Sequence, residues 1–302
     1  MAKITEGYMP YLGYQTYYRV VGERKDNGKA PLLCLHGGPG STHNCFEVFD
    51  CIADLDDRQI IMYDQIGCGN SYLDGHPELW RQETWMNELV QLRKHLGIDE
   101  CHIIGQSWGG MMIIAYAVDH APEGVRSYVI SSGHPSSSLW QREGMRRIGM
   151  MPEEMQHAIH DALERGDFSG EAYQAAEAEY MRRYCDPWLG EDAPECMTRP
   201  RRRGAESYLY GWGVSEFAAT GSLGDFEYID RLGEIRTPTL ICSGISDLCS
   251  PLIAKTMADA IPGAEWILWE NARHTCFIDR SEDYIPVLID WMRRHDNGSC
   301  SF

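Results

Sequence analysis

The stretch CHIIGQSWGGMMIIAYAVDHAP, residues 101–122, predicts a short buried strand that runs directly into a buried helix. The pattern Gly-x-Ser-x-Gly lies at the junction, over residues 105–109, with Ser107 at its centre. Such a sharp turn lifts a serine hydroxyl above a sheet, and glycines on either side avoid clashes with neighbouring backbone. The N–H groups at the start of the helix can stabilise an oxyanion that develops beside the serine. The pattern is common by chance, but its place between a strand and a helix indicates that Ser107 is a nucleophile rather than part of a structural turn.

Strand and helix patterns alternate along most of the chain around this stretch. Apolar, strand-like runs occur at 14–22, 31–37, 58–64, 101–106, 125–133, 237–244 and 264–270. Helical patterns occur at 84–97, 110–122, 251–261 and 281–294. Strands separated by helices at this spacing predict an α/β fold with a mostly parallel central sheet and helices on both faces.

The alternation stops between residues 134 and 225. No strand pattern occurs there, and helical segments rich in Glu, Ala, Arg and Met take over, for example at 153–166 and 171–184. We therefore predict that a helical cap domain, residues 134–225, is inserted into one α/β core domain made of residues 1–133 and 226–302.

Composition and charge exclude several classes of protein. The 302 residues carry 27 Lys and Arg against 45 Asp and Glu, a formal net charge of -18, which would repel the phosphates of nucleic acid and anionic membrane surfaces. No stretch is long and apolar enough to insert into a membrane, and the N-terminus lacks the apolar core of a secretory signal. The eleven cysteines follow no metal-binding spacing. These features predict a cytoplasmic protein with reduced thiols, and they leave its oligomeric state open.

A glycine-rich loop, HGGPG at residues 36–40, follows the apolar strand at 31–37. In hydrolases with such an elbow, the corresponding loop supplies a second oxyanion N–H, because glycines let the backbone approach the substrate. We assign this N–H to Gly38, with Gly37 as the alternative, and its companion to Trp108 directly after the serine. A phosphate-binding loop is the other interpretation, but neither GxGxxG nor a terminal Lys-Ser/Thr pair is present.

A serine needs a base to become nucleophilic, and the base needs an acidic partner that orients it. In elbow-type hydrolases the chain order is Ser, then Asp or Glu, then His. Asp247 follows the run LICSG and His274 follows the run WILWE, so both stand where strands of a parallel sheet end. We predict that His274 takes the proton of Ser107 and that Asp247 holds the imidazole in the required tautomer.

Four motifs together resemble those of proline iminopeptidases: HGGPG at 36–40, YDQIGCGNS at 63–71, GQSWGG at 105–110 and SDLCSP at 246–251. The resemblance covers nearly the whole chain, includes GWGVSEF at 211–217, and points in particular to the lactobacillus-type enzymes. The family consists of prolyl aminopeptidases with the α/β-hydrolase fold, which remove an N-terminal residue, preferentially proline, without a metal or an organic cofactor. The resemblance implies short peptides with a free N-terminal amine as substrates, and Ser107, Asp247 and His274 as the catalytic triad.

A carboxylate is the natural partner for the protonated amine of such a substrate. In the family a glutamate in an Asn-Glu-Phe-like motif binds this amine, and the resemblance gives the role to Glu216; the alternative is an exposed surface glutamate. Some relatives carry a second glutamate directly after the catalytic aspartate, where this chain has Leu248. The aromatic residues before Glu216, among them Trp212, either form a wall for the pyrrolidine ring or pack in the core. Gly37 and Trp212 join Glu216 as candidate substrate-binding residues.

The sequence therefore predicts a serine exopeptidase that works through an acyl-enzyme intermediate. An amino-acid amidase or an arylesterase with the same triad is the alternative, because the fold and the elbow do not select the acyl group. A non-catalytic binding protein on the same scaffold is disfavoured, since the serine, its base, its acidic partner and both oxyanion donors are all present.

Overall fold

The computed structural model describes residues 2–187, 189–190 and 193–297, and within them eight strands form one sheet. In chain order the strands are β1 (Ile4–Tyr11), β2 (Tyr14–Val21), β3 (Leu32–Leu35), β4 (Ile60–Tyr63), β5 (Cys101–Gln106), β6 (Val125–Ser131), β7 (Thr239–Gly244) and β8 (Glu265–Trp269). Their order across the sheet is β1-β2-β4-β3-β5-β6-β7-β8. β2 pairs antiparallel with both β1 and β4, and every later pair is parallel. The predicted mostly parallel sheet is confirmed.

Helices occupy most of the connections between these strands. The α-helices of the described residues are α1 (Cys51–Leu55), α2 (Gln82–His95), α3 (Trp108–Ala115), α4 (Ser137–Ile148), α5 (Glu153–Arg165), α6 (Glu171–Tyr184), α7 (Glu195–Thr198), α8 (Ala205–Gly211), α9 (Pro251–Ala260), α10 (Cys276–Asp279) and α11 (Ser281–His295). None of the helices in this part of the chain is both long and apolar enough to span a membrane.

The two faces of the sheet belong to two separate apolar cores. In β3, Leu33 and Leu35 pack into the core that contains residues of α2 and α3, whereas Leu32 and Cys34 pack into the core that contains residues of α11. All four side chains are fully buried, as expected for a central strand whose successive side chains point to opposite faces. Helices therefore cover both faces of the sheet, as predicted.

The structure adds a strand that the sequence pattern did not reveal. β1 lies at the edge of the sheet and most of its side chains are exposed, so it lacks the apolar pattern on which strand prediction depends. A tight turn at Leu12 and Gly13, both with positive φ, sets its pairing with β2. The start of α2 also differs, since this helix begins at Gln82 and not at residue 84.

The chain between β6 and β7 is helical, and its described residues form α4 to α8 without a strand of the sheet. Two contacts attach it to the loop after β7. The guanidinium of Arg147 on α4 donates to the carbonyl of Asp247, and the N–H of Leu248 donates to the carbonyl of Tyr184 on α6 at 2.8 Å. The helices of this segment are thereby held against the carboxyl edge of the sheet, where the candidate site lies.

Candidate active site

Ser107 occupies a sharp turn between β5 and α3 at the carboxyl edge of the sheet. It has φ +55°, a conformation that residues other than glycine rarely adopt. Its backbone N–H donates to the carbonyl of Ser131 at the end of β6, at 3.0 Å, which holds the turn against the neighbouring strand. The side chain is half-buried and lines a cavity. This is the geometry of a nucleophile elbow.

Glycine is required on both sides of Ser107 because backbone passes close by. A Cβ on Gly105 would lie 2.1 Å from the carbonyl oxygen of Gly109, and a Cβ on Gly109 would lie 2.0 Å from the carbonyl oxygen of Leu35. Both contacts are with main chain, so no flexible side chain can move aside. The two glycines therefore allow β3, β5 and α3 to pack closely enough to shape the turn.

His274 and Asp247 lie beside each other in the loops after β8 and β7. His274 Nδ1 is 2.8 Å from Asp247 Oδ1, and both side chains are buried. The same carboxylate accepts from Ser132 Oγ at 2.6 Å and from the N–H of Cys249 at 2.8 Å. Because the Asp247 oxygens act as acceptors, the imidazole carries its proton on Nδ1, and Nε2 is left as a base.

Ser107 and His274 line the same cavity, whose volume is about 750 Å³. Within the described residues no hydrogen bond joins Ser107 Oγ to His274 Nε2, and such bonds are often long in an unliganded site and shorten when substrate binds. Trp140 lies edge-on to the imidazole, with ring centroids 6.2 Å apart. Gln106 Nε2 donates to the His274 carbonyl at 3.3 Å. These two contacts fix the ring and the backbone of His274 from opposite ends of the residue.

The loop of residues 36–40 approaches Ser107 from the end of β3. A Cβ on Gly37 would lie 2.9 Å from the Cβ of Ser107, so glycine is needed there. Gly38, with φ +112°, lines the cavity. The backbone N–H of Trp108 is the first of α3 and has no acceptor inside the helix. Gly38 thus shares a cavity with Ser107, and Trp108 directly follows Ser107 at the start of α3.

His36 anchors this loop. Its Nε2 accepts from the backbone N–H of Gln65 at 3.0 Å, and its Nδ1 lies 2.9 Å from the carbonyl oxygen of Gly37. An N–H can only donate and a carbonyl oxygen can only accept, so the ring is neutral and carries its proton on Nδ1. Burial lowers the pKa of His36 to about 4, in agreement with a neutral ring.

Glu216, the predicted amine-binding residue, also lines the cavity. Its Oε2 accepts from the hydroxyl of Tyr208 at 2.5 Å. Burial raises the pKa of the Glu216 carboxyl, while the hydrogen bond from Tyr208 lowers it, as does His274 in its protonated form. Glu177 on α6 lines the same cavity, and its negative charge raises the pKa of Glu216 further. A cation bound near these two carboxylates would relieve both the burial and the repulsion.

Two other residues named from the sequence lie in different surroundings. Trp212 is buried in an aromatic cluster, with its ring centroid 6.0 Å from that of Trp140 and 5.7 Å from that of His134. It is not among the described residues that line the cavity, and its role in substrate binding stays a prediction. Leu248, directly after Asp247, gives the cavity an apolar surface.

Sequence reasoning missed four residues of the site: Ser132, Glu177, Arg201 and Arg203. Ser132 directly follows β6 and donates to Asp247, which follows the adjacent parallel strand. Neighbouring parallel strands end at the same edge, so its position was a usable signal. Glu177, Arg201 and Arg203 line the cavity from the segment between β6 and β7. A helical pattern does not say which of its polar residues face a cavity, so a single sequence held no signal for them.

The described ranges contain no group of three or more His, Cys, Asp or Glu side chains arranged to hold a metal ion. The groups that the site does bring together are a serine on a strained turn, a histidine with a free Nε2, a buried carboxylate behind it and backbone N–H donors. Together they provide what acyl transfer through a covalent serine ester requires.

Residues 30–281 match the family model of the alpha/beta hydrolase fold. Among curated proteins, the proline iminopeptidase of Clostridioides difficile (strain 630) is 54% identical over 294 residues, which make up 97% of this chain and 100% of that protein. The proline iminopeptidase of Lactobacillus helveticus (strain DPC 4571) is 47% identical over 295 residues, 97% of this chain and 99% of that protein.

The solved structures include a chain that is similar over nearly its whole length. The crystal structure of the proline iminopeptidase of Mycobacterium smegmatis superposes with a TM-score of 0.85 and 28% sequence identity, and the match covers 97% of this chain and 99% of that one. The similarity therefore extends through the sheet and through the helical segment between β6 and β7.

Proposed function

The chain belongs to the proline iminopeptidase family of α/β-hydrolase-fold proteins, as its motifs predicted, and on this basis we propose that it is a serine exopeptidase that releases an N-terminal residue, preferentially proline, from short peptides. One observation carries the proposal: Glu216 lines the same cavity as Ser107 and His274. A partner for an N-terminal amine thereby stands in one cavity with a nucleophile and its base.

Ser107 acts as the nucleophile and His274 as the general base of the first half-reaction. His274 Nε2 accepts the Ser107 proton while Oγ attacks the carbonyl carbon of the first residue. The N–H groups of Gly38 and Trp108 donate to the oxyanion of the tetrahedral intermediate. His274 then gives its proton to the leaving amine, the shortened peptide departs, and the first residue remains as an ester of Ser107.

The second half-reaction releases the amino acid. Water takes the place of the departed peptide, and His274 removes one of its protons while the water oxygen attacks the ester carbonyl. The tetrahedral intermediate then collapses, the bond to Ser107 Oγ breaks, and His274 returns the proton to Oγ. Asp247 keeps the imidazole proton on Nδ1 and stabilises the imidazolium that forms twice in each cycle. Support for this role comes from the 2.8 Å contact between His274 and Asp247 and from the Ser132 and Cys249 donors that hold the carboxylate.

Glu216 and Glu177 bind the protonated amine. Within the described residues, Tyr208 donates to one oxygen of Glu216 and no hydrogen bond reaches the other, which leaves an acceptor for the substrate. A protonated N-terminal proline carries two N–H donors, so two carboxylates can bind it at once. Glu177 on α6 is the second carboxylate, because the residue after Asp247 is Leu248 and offers none. Leu248 instead offers apolar surface to the pyrrolidine ring.

Residues 134–225 act as a cap over a core formed by 1–133 and 226–302. Support for this division comes from the origin of the cavity wall, because α6 and α8 contribute Glu177 and Tyr208 whereas strand-end loops contribute Ser107 and His274. A cap that closes over the nucleophile excludes bulk water and keeps the internal peptide bonds of long polypeptides away from Ser107, while a free N-terminus can still enter.

The test is a panel of aminoacyl p-nitroanilides offered to the purified protein, each with a free or an acetylated amine. We expect rapid hydrolysis of the prolyl compound, slower hydrolysis of alanyl and leucyl compounds, and loss of prolyl hydrolysis on acetylation. Equal hydrolysis of free and acetylated compounds, or hydrolysis of aryl esters alone, would contradict an aminopeptidase and favour the amidase or arylesterase.

A further inference from the structure

Arg201 and Arg203 line the same cavity as Ser107. The proposed cleavage uses neither of them, because nucleophile, base, oxyanion donors and amine site are all formed by other residues. Two cations in the wall of a substrate cavity are unexpected in a chain with a formal net charge of -18. Their position therefore calls for a ligand that carries negative charge.

The backbone of residues 199–204 is fixed at several points, although it has no regular secondary structure. Arg199 forms ion pairs with Glu47 and with Glu195, at 3.0 and 2.7 Å. The Arg202 carbonyl accepts from the N–H of Gly69 at 2.7 Å. These contacts attach the segment to α7 and to the loop after β4, so the backbone that carries the arginine side chains is fixed in place.

The side chains of Arg201, Arg202 and Arg203 do not all face the cavity. The guanidinium of Arg202 lies over the ring of Tyr72, 3.2 Å from its centroid, whereas Arg201 and Arg203 line the cavity. This is the alternation of a locally extended chain, in which residues two apart share a side. Arg201 and Arg203 thus form a pair, and Arg202 is a neighbour of the same chemistry that faces elsewhere.

Within the described residues, neither Arg201 nor Arg203 has a carboxylate within ion-pair distance, in contrast to Arg199 with its two glutamates. Arg201 is also half-buried. Burial lowers the pKa of its guanidinium, and the positive charge of Arg203 lowers it further. An anion bound beside the pair would offset both effects, and a planar guanidinium binds a carboxylate with two parallel hydrogen bonds.

The arginines and Glu216 reach the cavity wall from different segments of the chain, since Arg201 and Arg203 precede α8 and Glu216 follows it. The groups that act on Arg201 are Arg203, Cys45 and Cys196, and Cys45 follows the loop of residues 36–40. The groups that act on Glu216 are Tyr208, His274 and Glu177. The charges of Glu216 and of Arg203 both act on Cys185, so carboxylates and guanidiniums stand in one cavity wall. A third cavity carboxylate, Asp186, interacts with Arg273.

We propose that Arg201 and Arg203 bind the C-terminal carboxylate of a short peptide whose N-terminal amine lies at Glu216. This inference rests on the proposed function and narrows its substrate class to dipeptides and tripeptides with both termini free. An extended peptide advances about 3.3–3.6 Å per residue, so chains of this length bring a carboxylate only ~7–11 Å from the amine end. A cavity of about 750 Å³ is of the size that encloses such small ligands.

The test compares kcat/KM for prolylglycine and prolylglycylglycine with kcat/KM for their C-terminal amides. We expect the wild-type protein to prefer the free acid about tenfold for at least one of the two lengths, mainly through KM, because a charge-assisted contact is lost in the amide. In the R201Q/R203Q variant the acid-to-amide ratio falls to about one. The matched R202Q variant, altered at the arginine on Tyr72, keeps the wild-type ratio.

A general loss of activity lowers kcat/KM for the acid and the amide equally and leaves their ratio unchanged. If R201Q/R203Q does not fold, the single variant R203Q, altered at an exposed arginine, takes its place. A wild-type ratio of about one at both lengths, or a ratio that survives in R201Q/R203Q, overturns the carboxylate site. Prolyl p-nitroanilide, which has no carboxylate, separates the two claims. If the wild-type protein hydrolyses this anilide but shows an acid-to-amide ratio of about one, only the carboxylate site is contradicted. If it cleaves neither the anilide nor any of the four peptides, the proposed function is overturned as well.

Discussion

The hydroxyl of Tyr208 lies 2.5 Å from Glu216 Oε2, and both side chains line the cavity that contains Ser107. This single donor fixes the orientation of the carboxylate and leaves its second oxygen unengaged among the described residues. An enclosed carboxylate in this state is costly without a cation, so the relationship supports the proposal that the cavity binds an amine.

Replacing Glu216 by Gln should therefore remove the charge but keep an acceptor for Tyr208. We expect E216Q to lose about 10- to 100-fold in kcat/KM on prolyl p-nitroanilide, and to lose at least about tenfold less on p-nitrophenyl acetate, which has no amine. The matched control is E179Q, on α6, where Glu179 pairs with Arg182 and Arg183 at the surface. Equal losses of E216Q on the two substrates would contradict amine binding by Glu216.

Removal of the nucleophile should abolish turnover without unfolding the protein. S107A is expected to lose about 10³-fold or more in kcat on prolyl p-nitroanilide, with an unchanged circular dichroism spectrum, because the covalent route is gone. S169A, at an exposed serine between α5 and α6, should retain wild-type turnover. Substantial activity in S107A would mean that another residue attacks the substrate.

The buried carboxyl of Glu88 should make the protein less stable as the pH rises. Burial raises its pKa to about 8 from an ordinary 4.5, so between these values the folded state holds a proton that the unfolded state has released. The free energy of unfolding then falls with increasing pH, by at most about 1.4 kcal/mol per pH unit from this group.

Urea unfolding between pH 5 and pH 8 checks this slope. We expect the wild-type free energy of unfolding to decline relative to that of E88Q over this range, since the amide cannot titrate. E83Q, changed at an exposed glutamate on the same helix, should follow the wild type. Parallel curves for the wild type and E88Q would show that Glu88 titrates normally.

His36 should have the opposite dependence. With its pKa lowered to about 4 from an ordinary 6.5, the folded state binds fewer protons than the unfolded state between these values. Its stabilising contribution is therefore present above pH 6.5 and is lost as the pH falls towards 4. H36Q should lack this component. The free energy of unfolding of the wild type, measured relative to that of H36Q, should therefore decrease as the pH falls from 6.5 to 4. In addition, H36Q should lower kcat by a larger factor than it raises KM, because His36 positions the loop that carries Gly38.

The fold could be predicted where burial leaves a clear pattern in the sequence. β5 was predicted at its observed bounds, 101–106, because it has an apolar centre, is buried throughout and ends at the serine turn. β1 was missed because an edge strand needs little apolar surface, and its side chains are mostly exposed.

The site was predictable where position along the chain determines position in space. Asp247 and His274 follow adjacent parallel strands, so their proximity could be inferred from strand order. Glu177 and Arg201 come from helices and loops whose placement depends on tertiary packing, and Trp212 lies in an aromatic cluster that a sequence cannot distinguish from a cavity wall. The acidic composition gave no indication that two arginines line the cavity without an ion-pair partner among the described residues.

The central claim is that Ser107 attacks substrates whose free amine is held by Glu216. It is tested most directly by an activated phosphonate analogue of proline, with its amine free or acetylated, followed by peptide mapping of the labelled protein. We predict a single adduct on Ser107 that forms at least about tenfold faster with the free amine, and no adduct in S107A. Labelling at another residue, or equal rates for the free and acetylated compounds, would contradict it.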